Sequence, residues 1–286
     1  MTTDNAEQIA EWNGPQGQRW AELQREIDGI VVPFGAAALA LAAPRPGERV
    51  LDVGCGCGDT SIEIAQRVGS TGRVLGVDVS RPMLDVAEAR AREKALSATL
   101  EFREADASEA ALLPEADLLF SRFGVMFFAH PVPAFRHLRA SLRPGGRCVF
   151  VCWRTPRDNA WTMTPLTAAR TALGVTPEPV DPFAPGPFAF ADADRLRGIL
   201  AEAGFSAIEL QRFDAPVFLG ATPRLAAENA VRVGPTSRFA REAGDAALPR
   251  IVDAIEHALA PLAAADGRVS LNGSTWLVSA KNPAQI

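Results

Sequence analysis

The stretch 49-RVLDVGCGCGDTS-61 decides how this chain is read. An apolar run ends in Asp52, and three glycines then alternate with two cysteines ahead of Asp59 and Thr60. A structural zinc site needs about four thiolate or imidazole ligands. Cys55 and Cys57 have one residue between them, and His130, His137 and His257 show no partnering spacing, so no metal is expected. A thioredoxin-type pair needs two intervening residues. A phosphate-cradling P-loop needs Lys-Ser/Thr after its last glycine, where Asp59-Thr60 stands. What remains is a nucleotide-type loop at the carboxyl end of a first parallel strand, the usual ligand position in open α/β sheets. Glycines let that backbone approach a ligand closely, and Asp52 and Asp59 on either side suit a cationic ligand better than a pyrophosphate. Thr60 and Glu63 read as a capping box that starts the following helix.

Working outward, strand-like runs occur at Arg49–Val53, Val74–Asp78, Leu100–Arg103, Ala116–Ser121 and Arg147–Trp153. Helical patterns lie between them at Thr60–Val68, Pro82–Ala95 and Val132–Leu142, the last ending at RPGG. Such alternation calls for a mostly parallel, doubly wound sheet. Asp78 falls twenty residues after Gly58 at the end of the second strand, where a carboxylate can accept hydrogen bonds from both hydroxyls of a ribose. Residues 155–191, rich in proline and phenylalanine, read as a long functional loop with some helix. ADRLRGILAEAGF reads as an amphipathic helix stopped by Gly204, and SAIELQRFDAPVFLG as a strand bent at Pro216. Residues 222–265 read as helical, and RVSLNGSTWLVSAKN as a strand or a hairpin turning at Asn272-Gly273.

Composition narrows the partners. The chain has 286 residues, 48% of them hydrophobic, with a net charge of −5 and four cysteines at 55, 57, 148 and 152. That charge gives no general attraction to phosphate backbones, so a small molecule is the expected partner and nucleic acid is not. The N-terminus is acidic and polar, unlike a secretory signal or transit peptide. The longest apolar stretch, Ile30–Ala43, is too short for a bilayer span and reads as a buried helix. Four cysteines in a chain of this size make no secreted disulfide framework, and a cytoplasmic location fits.

VLDVGCGCGDTS, VLGVDVSRPMLDVA, READASE, LLFSRFGVMFF and LRPGGRCVFVCW resemble the successive motifs of class I S-adenosylmethionine-dependent methyltransferases, in the broad group that includes the UbiE-type enzymes. The likeness runs over residues 45–155. It implies a Rossmann-like seven-stranded sheet whose last strand is antiparallel, and it supplies S-adenosylmethionine as cofactor. The chain then divides into an N-terminal helical cap (1–44), a cofactor-binding core (45–154), and a segment with substrate loop, late strands and helical insertion (155–286), one domain overall. Carried over by position, Gly54, Cys55 and Gly56 face the methionine part and ribose, with Asp59 and Thr60 at the end of the same loop. Asp78 holds the ribose, Val79, Ser80 and Met83 flank the adenine, and Asp106 with the Ala107 backbone recognises its exocyclic amine. Ser121, Arg122 and Phe123 lie near the methionine amine, and Trp20, with Trp12, covers the cofactor.

A sulfonium methyl is already activated, so the protein's work is to orient a nucleophile, exclude water and, where needed, remove a proton. His130, Arg122 and Asp158 are the candidate catalytic or substrate contacts. The chain has no tyrosine. Phe123, Met126, Phe127, Phe128, Trp153, Trp161, Phe183, Phe188 and Phe190 supply both core and an apolar substrate cavity. The expected activity is methyl transfer to an O, N or C atom of a small apolar or aromatic metabolite. A non-catalytic S-adenosylmethionine or nucleoside binder and an NAD-dependent oxidoreductase are the alternatives, the latter disfavoured by the glycine spacing and Asp52.

Overall fold

The computed structural model describes residues 5–177 and 181–284. The first four residues of the expected cap and residues 178–180 of the expected loop lie outside them. Seven strands form one sheet: β1 Arg49–Val53, β2 Arg73–Asp78, β3 Leu100–Glu104, β4 Ala116–Arg122, β5 Leu142–Trp153, β6 Ser206–Gly220 and β7 Val269–Lys281, in the order β3-β2-β1-β4-β5-β7-β6. β1 pairs in parallel with β2 and β4, β2 with β3, and β4 with β5, while β7 runs antiparallel to β5. The strand order reverses between β1 and β4. Val50–Val53 are buried throughout, as a central parallel strand covered on both faces requires.

Eleven α-helices are described: α1 Ala6–Asn13, α2 Pro15–Glu22, α3 Gln24–Ala42, α4 Asp59–Val68, α5 Arg81–Glu93, α6 Pro131–Ala140, α7 Ala160–Leu173, α8 Ala193–Glu202, α9 Pro223–Ala230, α10 Pro235–Ala243 and α11 Leu248–Leu259. α3 packs on β4 and β5, α4 on β1 and β2, α5 on β3, and α6 on β5. Arg147 anchors the end of α3, forking onto Glu48 (2.8 and 2.7 Å) and donating to the Ala42 carbonyl at 3.0 Å. The chain divides into two compact units. One comprises Met1–Trp153, Phe183–Phe213 and Thr275–Ile286, and the other Arg154–Pro182 and Asp214–Ser274. In the second, α11 packs against α7 and α9. No helix among the described residues is long and apolar enough to cross a membrane.

Two local expectations are corrected, and two are made specific. Thr60 and Glu63 form no capping box: Gly58, at φ +79°, is the N-cap of α4, Thr60 donates to Asp52, and Glu63 pairs with Arg67. RPGG does not end a helix. α6 stops at Ala140, and the Pro-Gly-Gly residues are a bulge in β5, since Ala116 pairs with Leu142 but Leu118 pairs with Arg147. Of the strand and the hairpin expected for 268–282, the strand is found: β7 runs through Asn272-Gly273 and continues onto the β5 ladder from Thr275. The helix expected within the 155–191 loop is α7, fourteen residues long, with Pro165 accommodated inside it.

Candidate functional site

The site begins where β1 and β4 part. A Cβ placed on Gly54 would lie 2.5 Å from the Gly124 Cα, and one on Gly124 would lie 2.6 Å from the Val53 carbonyl oxygen, so the two strand ends meet through bare backbone. The loop then turns through Gly56, at φ +53°, where an added Cβ would meet only the Met83 sulfur, at 3.8 Å. The Gly56 N–H donates to Asp78 Oδ2 (2.8 Å) and the Ser80 N–H to Asp78 Oδ1 (2.9 Å). The buried Asp78 carboxyl is pushed above the ordinary range by burial, against the lowering effect of those backbone donors. The Ser80 and Gly56 N–H groups occupy two of its lone-pair positions, the Val79 N–H also lowers its pKa, and acceptor capacity remains for a hydroxyl donor.

Asp52 lies beneath the loop, fully buried. Its Oδ2 accepts from Thr60 Oγ (2.9 Å) and Ser61 Oγ (2.5 Å), while Oδ1 has no hydrogen-bond partner among the described residues. Burial pushes this carboxyl up to about 6. Burial also pushes the Cys55 thiol well above its ordinary range, and burial with the Asp28 charge pushes Cys57 up to about 12. Both thiols are therefore protonated at neutral pH and are weak nucleophiles. Among the described residues no group of three or more His, Cys, Asp or Glu is placed to hold a metal ion.

Asp59 is not open to a cation. It bridges Arg90 (3.0 Å) and Arg122 (2.9 Å), and Asp28 of α3 reaches the same two guanidiniums at 3.4 and 3.0 Å. The four side chains close a ring that ties α3, the start of α4, α5 and the end of β4 together. Gln24 also donates to Asp28, and Arg90 to the Cys57 carbonyl. The Arg122 side chain is thus committed to carboxylates.

Next to β2 and β3, the Ala105 N–H donates to the Asp78 carbonyl at 3.0 Å, holding the two strand ends level. Asp106 Oδ1 accepts from the N–H and hydroxyl of Ser108 (2.9 and 2.7 Å), and Oδ2 from the Asn5 amide (2.7 Å). Asn13 donates to the Val79 carbonyl (2.6 Å) and accepts from the Arg81 N–H (2.9 Å), while Ser80 Oγ donates to the Trp12 carbonyl (2.7 Å). Helix α1 therefore spans from the end of β2 to the loop after β3. Asn5 and Asn13 were not singled out from the sequence. Their partners are 101 and 66 residues away, and no local pattern marks them.

Aromatic side chains gather at the ends of β4 and β5. Phe123, at φ +61°, stacks on Trp153 with ring centres 4.3 Å apart. Phe34 meets the edges of both and of Phe213. Left-handed backbone at a bulky residue is strained, about 1–3 kcal/mol. Trp12 contacts Trp20 and Phe127 edge-on. Not every expected cavity residue lies in such a place: Met126 is buried, Phe128 and Phe190 pack on Phe135 in the core, and Phe183 is exposed beneath Arg195. Of the catalytic candidates, His130 is exposed at the start of α6. Asp158, in the second unit, accepts from Thr155 Oγ (2.7 Å) and pairs with Arg154 (3.4 Å).

The site thus offers acceptors around the loop: the free positions on Asp78, Asp106, and the unpartnered oxygen of Asn5 beside it. Hydroxyls, an exocyclic amine and a positive centre fit such a set, and a diphosphate does not. Comparisons with known proteins agree with the architecture. The methyltransferase domain family matches residues 50–146. The 2-phytyl-1,4-naphtoquinone methyltransferase of Synechococcus elongatus is 35% identical over 123 residues, 42% of this chain and 52% of that protein. The ubiquinone/menaquinone biosynthesis C-methyltransferase UbiE of Pseudomonas entomophila is 28% identical over 181 residues, 59% of this chain and 70% of that one. The crystal structure of YcgJ from Bacillus subtilis matches 88% of this chain and 98% of its own with a TM-score of 0.57 at 17% identity, a likeness of fold. The chain spans about half the length of the naphtoquinone methyltransferase.

Proposed function

We propose, because residues 50–146 match the methyltransferase domain family and the motifs from Val50 to Trp153 resemble those of class I S-adenosylmethionine-dependent methyltransferases, that the protein moves a methyl group to an O, N or C atom of a small apolar or aromatic metabolite. The observation that carries the reading is the buried Asp78 carboxylate, fixed by two backbone N–H groups beside Gly56 with lone pairs left for a ribose. S-adenosylmethionine, when bound, supplies a methyl on a sulfonium, open to in-line displacement. The backbone of Gly54, Cys55 and Gly56 lines its methionine and ribose, and Val79, Ser80 and Met83 flank its adenine. Asp106 and the Ala107 backbone face the base amine. Ser121, Arg122 and Phe123 present backbone to the methionine amine, and Trp20 closes over it with Trp12. Asp59 and Thr60 act behind the loop, Asp59 through Arg90 and Arg122 and Thr60 through Asp52.

The stacked Phe123 and Trp153, with Phe34 and Phe213, favour a flat apolar acceptor, and the quinone-methylating relatives support that class. His130 is exposed, Arg122 is held by two carboxylates, and Asp158 is tied to Arg154 and Thr155. The acceptor we favour therefore ionises unaided near neutral pH, as an acidic phenol or enol does, and needs no dedicated base. The four free cysteines and the net charge of −5 support a cytoplasmic enzyme of small molecules rather than of nucleic acid.

The test is transfer of label from methyl-labelled S-adenosylmethionine to a panel of quinols, acidic phenols and amines, with calorimetry of S-adenosylhomocysteine and NAD alongside. Label on a phenol or quinol supports the reading. Tight binding of NAD with none of S-adenosylhomocysteine refutes it.

A further inference from the structure

Asn5 stands at the N-cap position of α1, where asparagine is favoured because its side-chain oxygen accepts from an N–H of the first turn. It makes no such bond. Its amide nitrogen instead donates to Asp106 Oδ2 at 2.7 Å, and its Oδ1 is buried with no hydrogen-bond partner among the described residues. The amide cannot be reversed, because turning its oxygen toward Asp106 would set two acceptors against each other. A buried carbonyl oxygen left unpaired costs about as much as a lost hydrogen bond, and such a group marks a place where a donor belongs.

Asp106 has capacity left as well. A carboxylate offers about four acceptor positions, and three are taken, by the Ser108 N–H, the Ser108 hydroxyl and Asn5. Two acceptors, one neutral and one anionic, therefore lie side by side, joined by the Asn5–Asp106 bond. They sit on the stretch that α1 spans between Val79 and Asp106. An exocyclic amine carries two N–H donors on one nitrogen and matches both. A 6-oxo group, which only accepts, would face two acceptors.

We propose that Asn5 is a base-reading residue: its Oδ1 accepts one N–H of the cofactor's adenine amine while Asp106 accepts the other, so that the N-terminal cap itself selects a 6-amino over a 6-oxo purine. The proposal rests on the S-adenosylmethionine reading above and adds a residue to it from outside the sheet.

Calorimetry tests it on the full chain, unaltered and as Asn5→Ala, with S-adenosylhomocysteine and its 6-oxo counterpart S-inosylhomocysteine. Loss of one hydrogen bond to the base weakens S-adenosylhomocysteine binding roughly five- to thirtyfold in Asn5→Ala. S-inosylhomocysteine, relieved of a facing acceptor, binds as before or more tightly. A purely structural role for Asn5 would lower both affinities together, and that equal loss overturns the proposal. So does an unchanged affinity for S-adenosylhomocysteine. Circular dichroism and the thermal midpoint of Asn5→Ala establish that it folds. Should it not, Asn5→Ser, which keeps an N-cap side chain but is too short to reach the base, is measured against the same two outcomes. No binding of S-adenosylhomocysteine to the unaltered protein would refute the S-adenosylmethionine reading itself, whereas failure in Asn5→Ala alone would leave that reading standing.

Discussion

Replacing Asp52 by asparagine should make the protein's stability less sensitive to pH, and the size of the effect follows from its burial. The carboxyl is fully buried and titrates near 6 instead of 3.8, chiefly because burial disfavours its charge, although Thr60 and Ser61 donate to it. A raised carboxyl means that the folded state holds its proton more tightly than the unfolded chain. Well below 3.8 both states are protonated and the group contributes nothing. Between about 4 and 6 the unfolded chain ionises first, so stability falls as pH rises, and above 6 the full penalty remains. From 3.8 to about 6, at roughly 1.4 kcal/mol per pH unit, the penalty is about 3 kcal/mol. The carboxamide in Asp52→Asn would keep an oxygen for the two hydroxyls but place an NH2 where Oδ1 now has no partner. That cost is independent of pH and cancels between two pH values. Urea unfolding of both proteins at pH 4, 5, 6 and 7 should show the difference, variant minus unaltered, rising by roughly 2 kcal/mol, because part of the penalty is already present at pH 4. A flat or falling difference would refute the buried-charge account.

Asp78→Ala should weaken S-adenosylhomocysteine by roughly 1.5–3 kcal/mol, because ribose hydroxyls lose a charged acceptor; an unchanged dissociation constant in calorimetry would place the ribose elsewhere. Replacing Cys55 by alanine and Cys57 by serine should leave cofactor binding intact. In the unaltered protein, alkylation of Cys57 at pH 8 should run far slower than that of an exposed thiol, since its ionisation lies near 12. Rapid labelling followed by mass spectrometry would contradict this. Arg122→Met leaves Asp28 and Asp59 facing each other without one of their two cations, and should cost about 1–3 kcal/mol in urea unfolding. Adding Asp28→Asn to it should recover part of the loss, and no recovery would show the ring to be uncoupled.

The parts of the molecule legible in the sequence are those whose cause is local. The runs Arg49–Val53 and Val74–Asp78, apolar but for Arg49, Asp52, Gly76 and Asp78, announced buried parallel strands, and Gly204 announced the end of α8. The class I resemblance supplied the strand count and the antiparallel β7. Misreadings arose where a distant partner overrode a local rule. Thr60 looked like half of a capping box, but Asp52, eight residues back and fully buried, claims its hydroxyl. Asn272-Gly273 also allowed a hairpin turn, but β7 runs through it as one strand from Val269 to Lys281, in the sheet between β5 and β6. The Asp28 ring was invisible because its members are spread from α3 to β4. Asp59, which looked like an open acceptor for a cation, is held by two arginines.

The bonds that hold α1 also bear on how the protein is made. Asn13 waits for Val79, 66 residues later, and Asn5 for Asp106, 101 residues later. On a ribosome the cap emerges ahead of the sheet, and the side-chain bonds of Asn13 and Asn5 cannot form until β2 and the loop after β3 have been synthesised. Loop closures this long raise contact order and slow the step that completes them. Helix α1 is thus made well before it can dock, and a chain interrupted before residue 106 would display it unsatisfied to the cell's folding and degradation machinery.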